Sequence, residues 1–593
     1  MIRFTSSSSA PSAEIGALRL PNKVSPEFFR NRLADIEALP QLALLAVLAG
    51  LITGCVILLF RAAVELILGG WLLPEGSESF EALSILERLA LPIAGAGLIG
   101  LALNRLSAAE RRVGVVHVME RLSRHQGYLP WRNAAVQFFG GIAALASGQS
   151  GGREGPAIHL GAASSSLIGQ IFRLPNNSLR TLVACGSAAA IASSFNTPIA
   201  GVIFAMEVVM MEYTIGSFIP VIIAAVTSTL LTHYFIGDAP AFTVAPLQMQ
   251  SLSEVPFVVL AGIVIGCTAA GFTALVQLFA RLSRWPFWSR ALLAGALTGL
   301  AATMVPAVMG IGYDTVNAAM LGQLSLTALL LVALFKSISS AAAVGLGLPV
   351  GLIGPTLVIG AALGGCIGMI GNLLEPADAI SEGFYVMLGM AAMMAAVLQA
   401  PLAALMAVME LTLNPNLILP AMLMIVVATL VSSVAFRQRS VFISTLKTLG
   451  LEYPPSPVTA HMQRAGVAAI MCEEVAVLPR DCSLDAARRA LEQRPLWIAI
   501  ASDDGETRWV LKSSDLAAHL ESEQIDTADV DLLNIPGMRR DATSVDVRCT
   551  VDEAQMALQG SPAEALCVRR LGVTAAGSLL GIVTQEDIDT YRG

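Results

Sequence analysis

Apolar residues run in long unbroken stretches through the first 450 positions of the chain, then give way to short alternating runs. The segments "LPQLALLAVLAGLITGCVILLF" from Leu39 and "VPFVVLAGIVIGCTAAGFTALV" from Val255 can each cross a hydrocarbon core about 30 Å thick at about 1.5 Å per residue, which predicts transmembrane helices. Other apolar runs are shorter and broken by Gly or Pro, which predicts half-spans and re-entrant pieces. After the Pro-rich stretch "LEYPPSPVTAHMQ" the texture changes. Short β-type runs ("EEVAVLP", "LWIAIAS", "RWVLKSS") alternate with amphipathic helical ones ("SLDAARRALEQ", "SSDLAAHLESE"), and the pattern recurs in "TSVDVRCTVDEAQMALQG", "AEALCVRRL" and "GSLLGIVTQEDIDTY". That is the signature of two small α/β units in tandem. The division expected is a polar segment over 1–27, a membrane domain over 28–449 in two halves (about 40–236 and 253–435), a linker over 450–463 and a soluble α/β domain over 464–593.

The membrane part repeats itself. "GREGPAIHLGAASSSLIG" (Gly152 to Gly169) aligns with "GLIGPTLVIGAALGGCIG" (Gly351 to Gly368) at an offset of 199, and "NTPIAGVIFAME" (Asn196 to Glu207) aligns with "QAPLAALMAVME" (Gln399 to Glu410) at an offset of 203. Pro and Glu recur in step as well as the small residues that helix packing alone would explain. Duplicated halves point to a transport protein whose site lies where corresponding Gly/Pro-interrupted segments meet. Each G-x-x-G-P reads as a helix start inside the membrane: the glycines permit an irregular backbone and Pro suits the first turn. Such ends carry unpaired N–H groups and a partial positive charge, so two that converge make an anion site.

Composition sharpens this. With 55% hydrophobic and 13% charged residues among 593, and a mean hydropathy of +0.70, the chain is a polytopic membrane protein and no soluble enzyme. The Ser-rich start shows no basic-apolar-cleavage pattern, so no cleavable signal peptide is expected. The eight Cys are scattered without a C-x-x-C pair, which predicts apolar fillers and no metal site. From Leu451 onward there are 23 acidic and 13 basic residues, a net charge of −10, against +2 for the rest. An acidic tail offers no surface for nucleic acid.

Taken together, "SGGREGPAIHLG", the paired "GLIGP", "FNTPIAGVIFAME" and "LQAPLAALMAVMELT" resemble the CLC family of anion channels and proton-coupled anion exchangers, in order from about residue 28 to 449, and the tail resembles a pair of CBS domains. The resemblance implies an all-α polytopic membrane domain with an inverted internal repeat, followed by a soluble α/β CBS pair, assembled as a homodimer in lipid with one anion pathway per subunit. By position, Glu154 matches the gating glutamate, whose carboxylate takes the anion's place and leaves it on swinging away or on protonation. Gly152, Arg153 and Gly155 beside it, with Val113, Gly114 and Phe442, are expected to line the anion site, and the main-chain amides of Leu352 and Ile353 to hold the anion from the second half. Arg153 is expected to set the local potential or to tie the loop. An ionisable pair within the membrane is costly and points to function.

Three positions depart from the family. Val113, before Gly114 in "RRVGVVHVMERL", stands where a Ser hydroxyl contacts the central anion, and Phe442 in "SVFISTL" stands where a Tyr offers a second hydroxyl. The central site is therefore expected to be weaker or wetter, with about 1.5–3 kcal/mol forgone per missing charge-assisted hydrogen bond. His117 and His159 read as packing histidines. Val208, after the repeat-matched Glu207, stands where exchangers carry an internal proton-relaying glutamate. This favours channel-like or weakly proton-coupled chloride transport, with Glu212 in "VMMEYT" read as a solvated helix end and, as the alternative, a substitute relay. H+/Cl− exchange and selectivity for fluoride or nitrate are the alternatives, and "GQSG" around Ser150 raises a remote one, an intramembrane serine protease.

In the tail, Thr584 and Asp587 fit the CBS pattern for an adenine nucleotide, with Asp515 the counterpart in the first unit, where Lys512 replaces Thr. No other cofactor is expected. Lys23, Arg30 and Arg32 ahead of the first span, with the CBS resemblance, place both termini in the cytoplasm of a bacterial inner membrane.

Overall fold

A computed structural model describes residues 39–592 except 74–78, 239–241, 243–248, 250–253, 375–380, 452–460, 503–506, 522–528 and 571–578. The polar segment 1–27, with Lys23, and also Arg30, Arg32 and most of the linker, lie outside the described residues. Residues 39–448 form helices: α1 (Leu39–Ile67), α2 (Ile85–Asn104), α3 (Gly114–Arg124), α4 (Trp131–Ala146), α5 (Glu154–Ile171), α6 (Asn176–Phe195), α7 (Pro198–Phe204, continued by a π turn Ala205–Met210), α8 (Ile215–Ile236), α9 (Val255–Ala280), α10 (Phe287–Met304), α11 (Tyr313–Met320), α12 (Leu326–Gly345), α13 (Ile353–Leu374), α14 (Glu382–Leu398), α15 (Pro401–Thr412), α16 (Ile418–Leu430) and α17 (Val441–Thr448). Among the described residues eight helices are long and apolar enough to cross a membrane, and α14 and α15 are shorter apolar pieces. The expected mixture of full spans and interrupted ones is present.

The repeat is structural as well as textual. Helices α5 and α6 cross where a Cβ on Gly161 would meet Gly186 O at 2.3 Å, and α13 and α14 cross where a Cβ on Gly360 would meet Gly389 O at the same 2.3 Å. Only glycine permits backbones that close. Asn196 and Gln399 both turn the chain in the left-handed region (φ 61° and 55°), ahead of Pro198 and Pro401 at the starts of α7 and α15. Those two helices then cap each other. Glu207 accepts hydrogen bonds from Leu402 N and Ala403 N at 3.3 and 2.8 Å, and Glu410 accepts from Ile199 N and Ala200 N at 3.0 and 2.7 Å. Each carboxylate thus satisfies the orphan amides of the other half's helix start. This explains why the two glutamates recur in step.

The tail contains the strands β1 (Val475–Pro479), β2 (Asp481–Ser483), β3 (Trp497–Ala501), β4 (Thr507–Lys512), β5 (Asp529–Asp531), β6 (Arg539–Asp546), β7 (Ala565–Arg569) and β8 (Leu579–Thr584), with helices α18 (Leu484–Glu492), α19 (Ser513–Glu521), α20 (Val551–Gln559) and α21 (Gln585–Arg592). One sheet has the order β1-β3-β4-β6-β7-β8. In each half the first pair is parallel and the second antiparallel, and β4 joins β6 antiparallel. Two copies of one β-α-β-β-α unit therefore share a sheet, as the recurring texture predicted.

The second unit rests on the membrane domain. Asn176, which opens α6, donates from its side chain to Glu553 Oε2 at 2.8 Å and from its backbone to Arg548 O at 3.0 Å. Arg464 donates through Nε and Nη2 to Glu212 Oε2 at 3.1 and 2.9 Å. Glu212 is thus bound in an ion pair with the tail, where a solvated helix end was the main expectation.

Candidate functional site

The two G-x-x-G-P motifs meet head to head. Gly152 N donates to Gly351 O at 2.8 Å and Gly351 N to Gly152 O at 2.7 Å, an antiparallel bridge between the halves. A Cβ on Gly155 would lie 2.7 Å from Gly351 Cα, so the approach requires glycine on both strands. The bridge brings the start of α13 against the start of α5, where Glu154 sits.

Glu154 has no exposed surface. Its Oε2 accepts from Gly354 N at 3.1 Å, in the first turn of α13, and its Oε1 accepts from Tyr313 Oη at 3.1 Å, at the start of α11. A carboxylate from the first half therefore occupies the amide end of the second half's helix, held by an N–H and an O–H. The arrangement suits any small anion, because such donors favour negative charge wherever it comes from.

Several expected ligands are placed differently. The amide that reaches Glu154 is that of Gly354, just past the buried Leu352 and Ile353. Gly152 spends its N–H on the bridge to Gly351, and Gly114 donates its own to Gln137 Oε1 at 2.8 Å. Neither amide is available to an anion, because a main chain N–H placed in a good hydrogen bond is already satisfied. Gln137 also donates to Pro349 O at 3.1 Å and so ties the start of α3 to the second-half loop. Arg153 ties the loop: its Nη2 donates to Ser194 O at 3.1 Å and its guanidinium lies 5.8 Å from the Tyr313 ring centroid. Val113 begins α3 without any side-chain cap, and Phe442 is packed into the main apolar cluster. At Phe442 apolar packing takes the place of the absent hydroxyl.

Tyr313, Gln137 and Lys336 were not picked out from sequence. Lys336 is fully buried in α12 and donates to Val308 O at 3.1 Å and Gly310 O at 2.9 Å, in the loop that leads to Tyr313. A lone lysine within "VALFKSI" is an intramembrane charge, and that signal could have marked it.

On the side of the tail, a cavity of about 500 Å³ is lined by Glu207, Val208, Gln399, Arg437, Arg439 and Ser440, among others. The Glu207 carboxylate is held by α15 amides, so its two arginines leave the cavity favourable to anions. A second pocket is lined by Arg61, Phe80, Arg153 and Ile311, among others.

The histidines form a directed chain. Arg121 Nε donates to His117 Nε2 at 3.2 Å, and His117 Nδ1 lies 2.9 Å from His159 Nε2. Arginine can only donate, so His117 carries its proton on Nδ1 and gives it to His159 Nε2. The proton of His159 is then on Nδ1, which is buried without a partner among the described residues. Ser150 pairs with Ser340 Oγ at 2.8 Å and is fully buried. Its partner is a hydroxyl where a protease needs a base, so the protease alternative fails.

Residues 95–433 match the family described as voltage gated chloride channel, more than half of the chain. The chain belongs to this family. Among CLC relatives it is 34% identical over 344 residues to a ClcB-like protein of Ralstonia nicotianae, covering 57% of this chain and 80% of that one. It is 31% identical over 314 residues to the H(+)/Cl(-) exchange transporter ClcA of Salmonella typhi, covering 51% of this chain and 66% of the relative. The fold is that of a slow cyanobacterial Cl-/H+ antiporter, with a TM-score of 0.61 and 23% identity over 69% of this chain and 98% of that one. A eukaryotic CLC transporter matches over 94% of this chain and 98% of its own, with a TM-score of 0.53 and 21% identity. The CLC fold thus accounts for the helical domain, and its relatives are transporters and channels. The protein is integral to the membrane and crosses it several times.

Proposed function

We propose that this CLC protein moves chloride, or another small anion, across a bacterial inner membrane along a pathway gated by Glu154. The observation that carries this reading is the Glu154 carboxylate, fully buried and held at the α13 start by Gly354 N and Tyr313 Oη. A group placed there blocks an anion while ionised. Protonation neutralises it and frees both donors. Flux through the protein in proteoliposomes is expected to rise as the pH falls, and Glu154→Ala is expected to abolish that dependence while leaving transport. A variant that keeps the wild-type pH profile would remove Glu154 as the gate.

Proton coupling is read as weak or absent. Val208 lines the tail-side cavity, where Glu207 is occupied in capping α15 and Glu212 in pairing with Arg464. The name of the Salmonella typhi relative favours exchange as the second reading. A reversal potential that shifts with a pH gradient at fixed chloride decides for exchange.

The tail is proposed to be a CBS pair on the cytoplasmic side that takes an adenine nucleotide. Its duplicated unit supports this, as do Thr584 and Asp587, which are brought together: Asp587 Oδ2 accepts from Thr584 N and Oγ1 at 2.7 and 2.8 Å. In the first unit Asp515 Oδ2 accepts from Met538 N at 3.3 Å. Homodimer assembly in lipid completes the reading, supported by the CLC membership of the chain.

A further inference from the structure

The donor to Glu154 Oε1 comes from an element that neither repeat motif announces. Tyr313 follows Gly310-Ile311-Gly312, and both glycines lie in the left-handed region, at φ 59° and 90°. A Cβ on Gly310 would meet Phe80 Cε2 at 2.6 Å, and one on Gly312 would meet Lys336 Nζ at 3.3 Å. Lys336 holds the preceding carbonyls of Val308 and Gly310. The ring itself is clamped. Phe242 meets it edge-on with centroids 5.4 Å apart at 73°, Phe195 lies 6.2 Å away and the Arg153 guanidinium 5.8 Å away. A side chain fixed by three neighbours and a pinned backbone aims its hydroxyl with little entropy left to lose.

We propose that Tyr313 is a direct ligand of the permeating anion, at the place the Glu154 carboxylate occupies, as well as the latch on Glu154. The proposal rests on Glu154 being the gate. When the carboxylate leaves, the donors that faced its two oxygens are the Tyr313 O–H and the Gly354 N–H. Both are held by the fold and neither needs the carboxylate to orient it. A halide at that point takes up the same pair of hydrogen bonds. A phenol donor also discriminates, since its hydrogen bond strengthens with the acceptor's charge density. Fluoride gains most from it, chloride less, and nitrate, with its charge spread over three oxygens, least.

The test compares full-length Glu154→Ala with the double variant Glu154→Ala/Tyr313→Phe, by titration calorimetry of the purified protein with sodium chloride, fluoride and nitrate. Phenylalanine keeps the ring contacts and removes only the O–H. Chloride affinity is expected to fall about tenfold, equivalent to about 1.4 kcal/mol, fluoride affinity by more and nitrate affinity by less. Equal chloride affinity in the two proteins overturns the proposal. A loss of the same size for all three anions also overturns it, because it marks a change of shape and not a missing donor. The gate fails by a separate sign, a wild-type pH profile of flux in Glu154→Ala, so the two claims stand or fall independently.

Discussion

A buried carboxylate costs several kcal/mol unless donors face it. Glu154 meets that condition through one backbone N–H and one phenol O–H, and the same donors are what make its position attractive to an anion. The imidazole pair obeys the same rule less completely. His117 is satisfied on both nitrogens, by Arg121 and His159, while His159 Nδ1 has no partner among the described residues. Replacing either histidine by Leu strands a buried nitrogen on the other, at a cost of about 1–3 kcal/mol. His117→Leu is expected to lower the thermal unfolding temperature in detergent, as is His159→Leu. The double variant is expected to cost less than the sum, since the second change removes the group that the first left unpaired. Strictly additive losses would show that the two rings do not depend on each other.

Helices α7 and α15 owe their starts to each other's far ends. Capping by a carboxylate from a different half couples the two repeats, so either half alone would leave amides open inside the membrane. Glu410→Gln keeps the shape of the side chain but turns one acceptor into a donor, which leaves Ile199 N or Ala200 N unpaired. The expected loss is about 1 kcal/mol, read as a lower unfolding temperature, with Glu207→Gln expected to match it because the contact is repeated. An unchanged unfolding temperature would mean that the caps contribute nothing to the fold. In contrast to these repeated elements, α11 is positioned singly: Lys336, Phe80 and two glycines set the loop before it. That placement is what carries Tyr313 to Glu154.

Across the whole molecule, the tail touches the membrane domain beside the cavity lined by Glu207 and Val208. Arg464 grips Glu212, five residues beyond Glu207 in the tail-side cavity, and Asn176 holds the second tail unit at the start of α6. A ligand that reshapes this unit acts on residues next to that opening. Binding of ATP or AMP to the full-length protein at millimolar concentration is therefore expected, with Asp587→Ala weakening it about tenfold, a loss of about 1.4 kcal/mol. No binding at that concentration would leave the tail a purely structural module. The repeat, the helical membrane domain, the tandem tail and the buried carboxylate at a membrane-helix start were legible in the sequence, because each rests on local patterns: apolar run length, G-x-x-G-P starts and periodic α/β texture. The donors around Glu154 were legible only in part, since Gly354 stands in for its neighbours Leu352 and Ile353, and the amides of Gly114 and Gly152 are already taken. What the sequence by itself determined is that a carboxylate stands at the start of an interrupted membrane helix, opposite a second such start. Only the tertiary structure decided which donors face it. Tyr313 lies 159 residues from Glu154, and no local pattern encodes a contact that depends on how two distant loops pack.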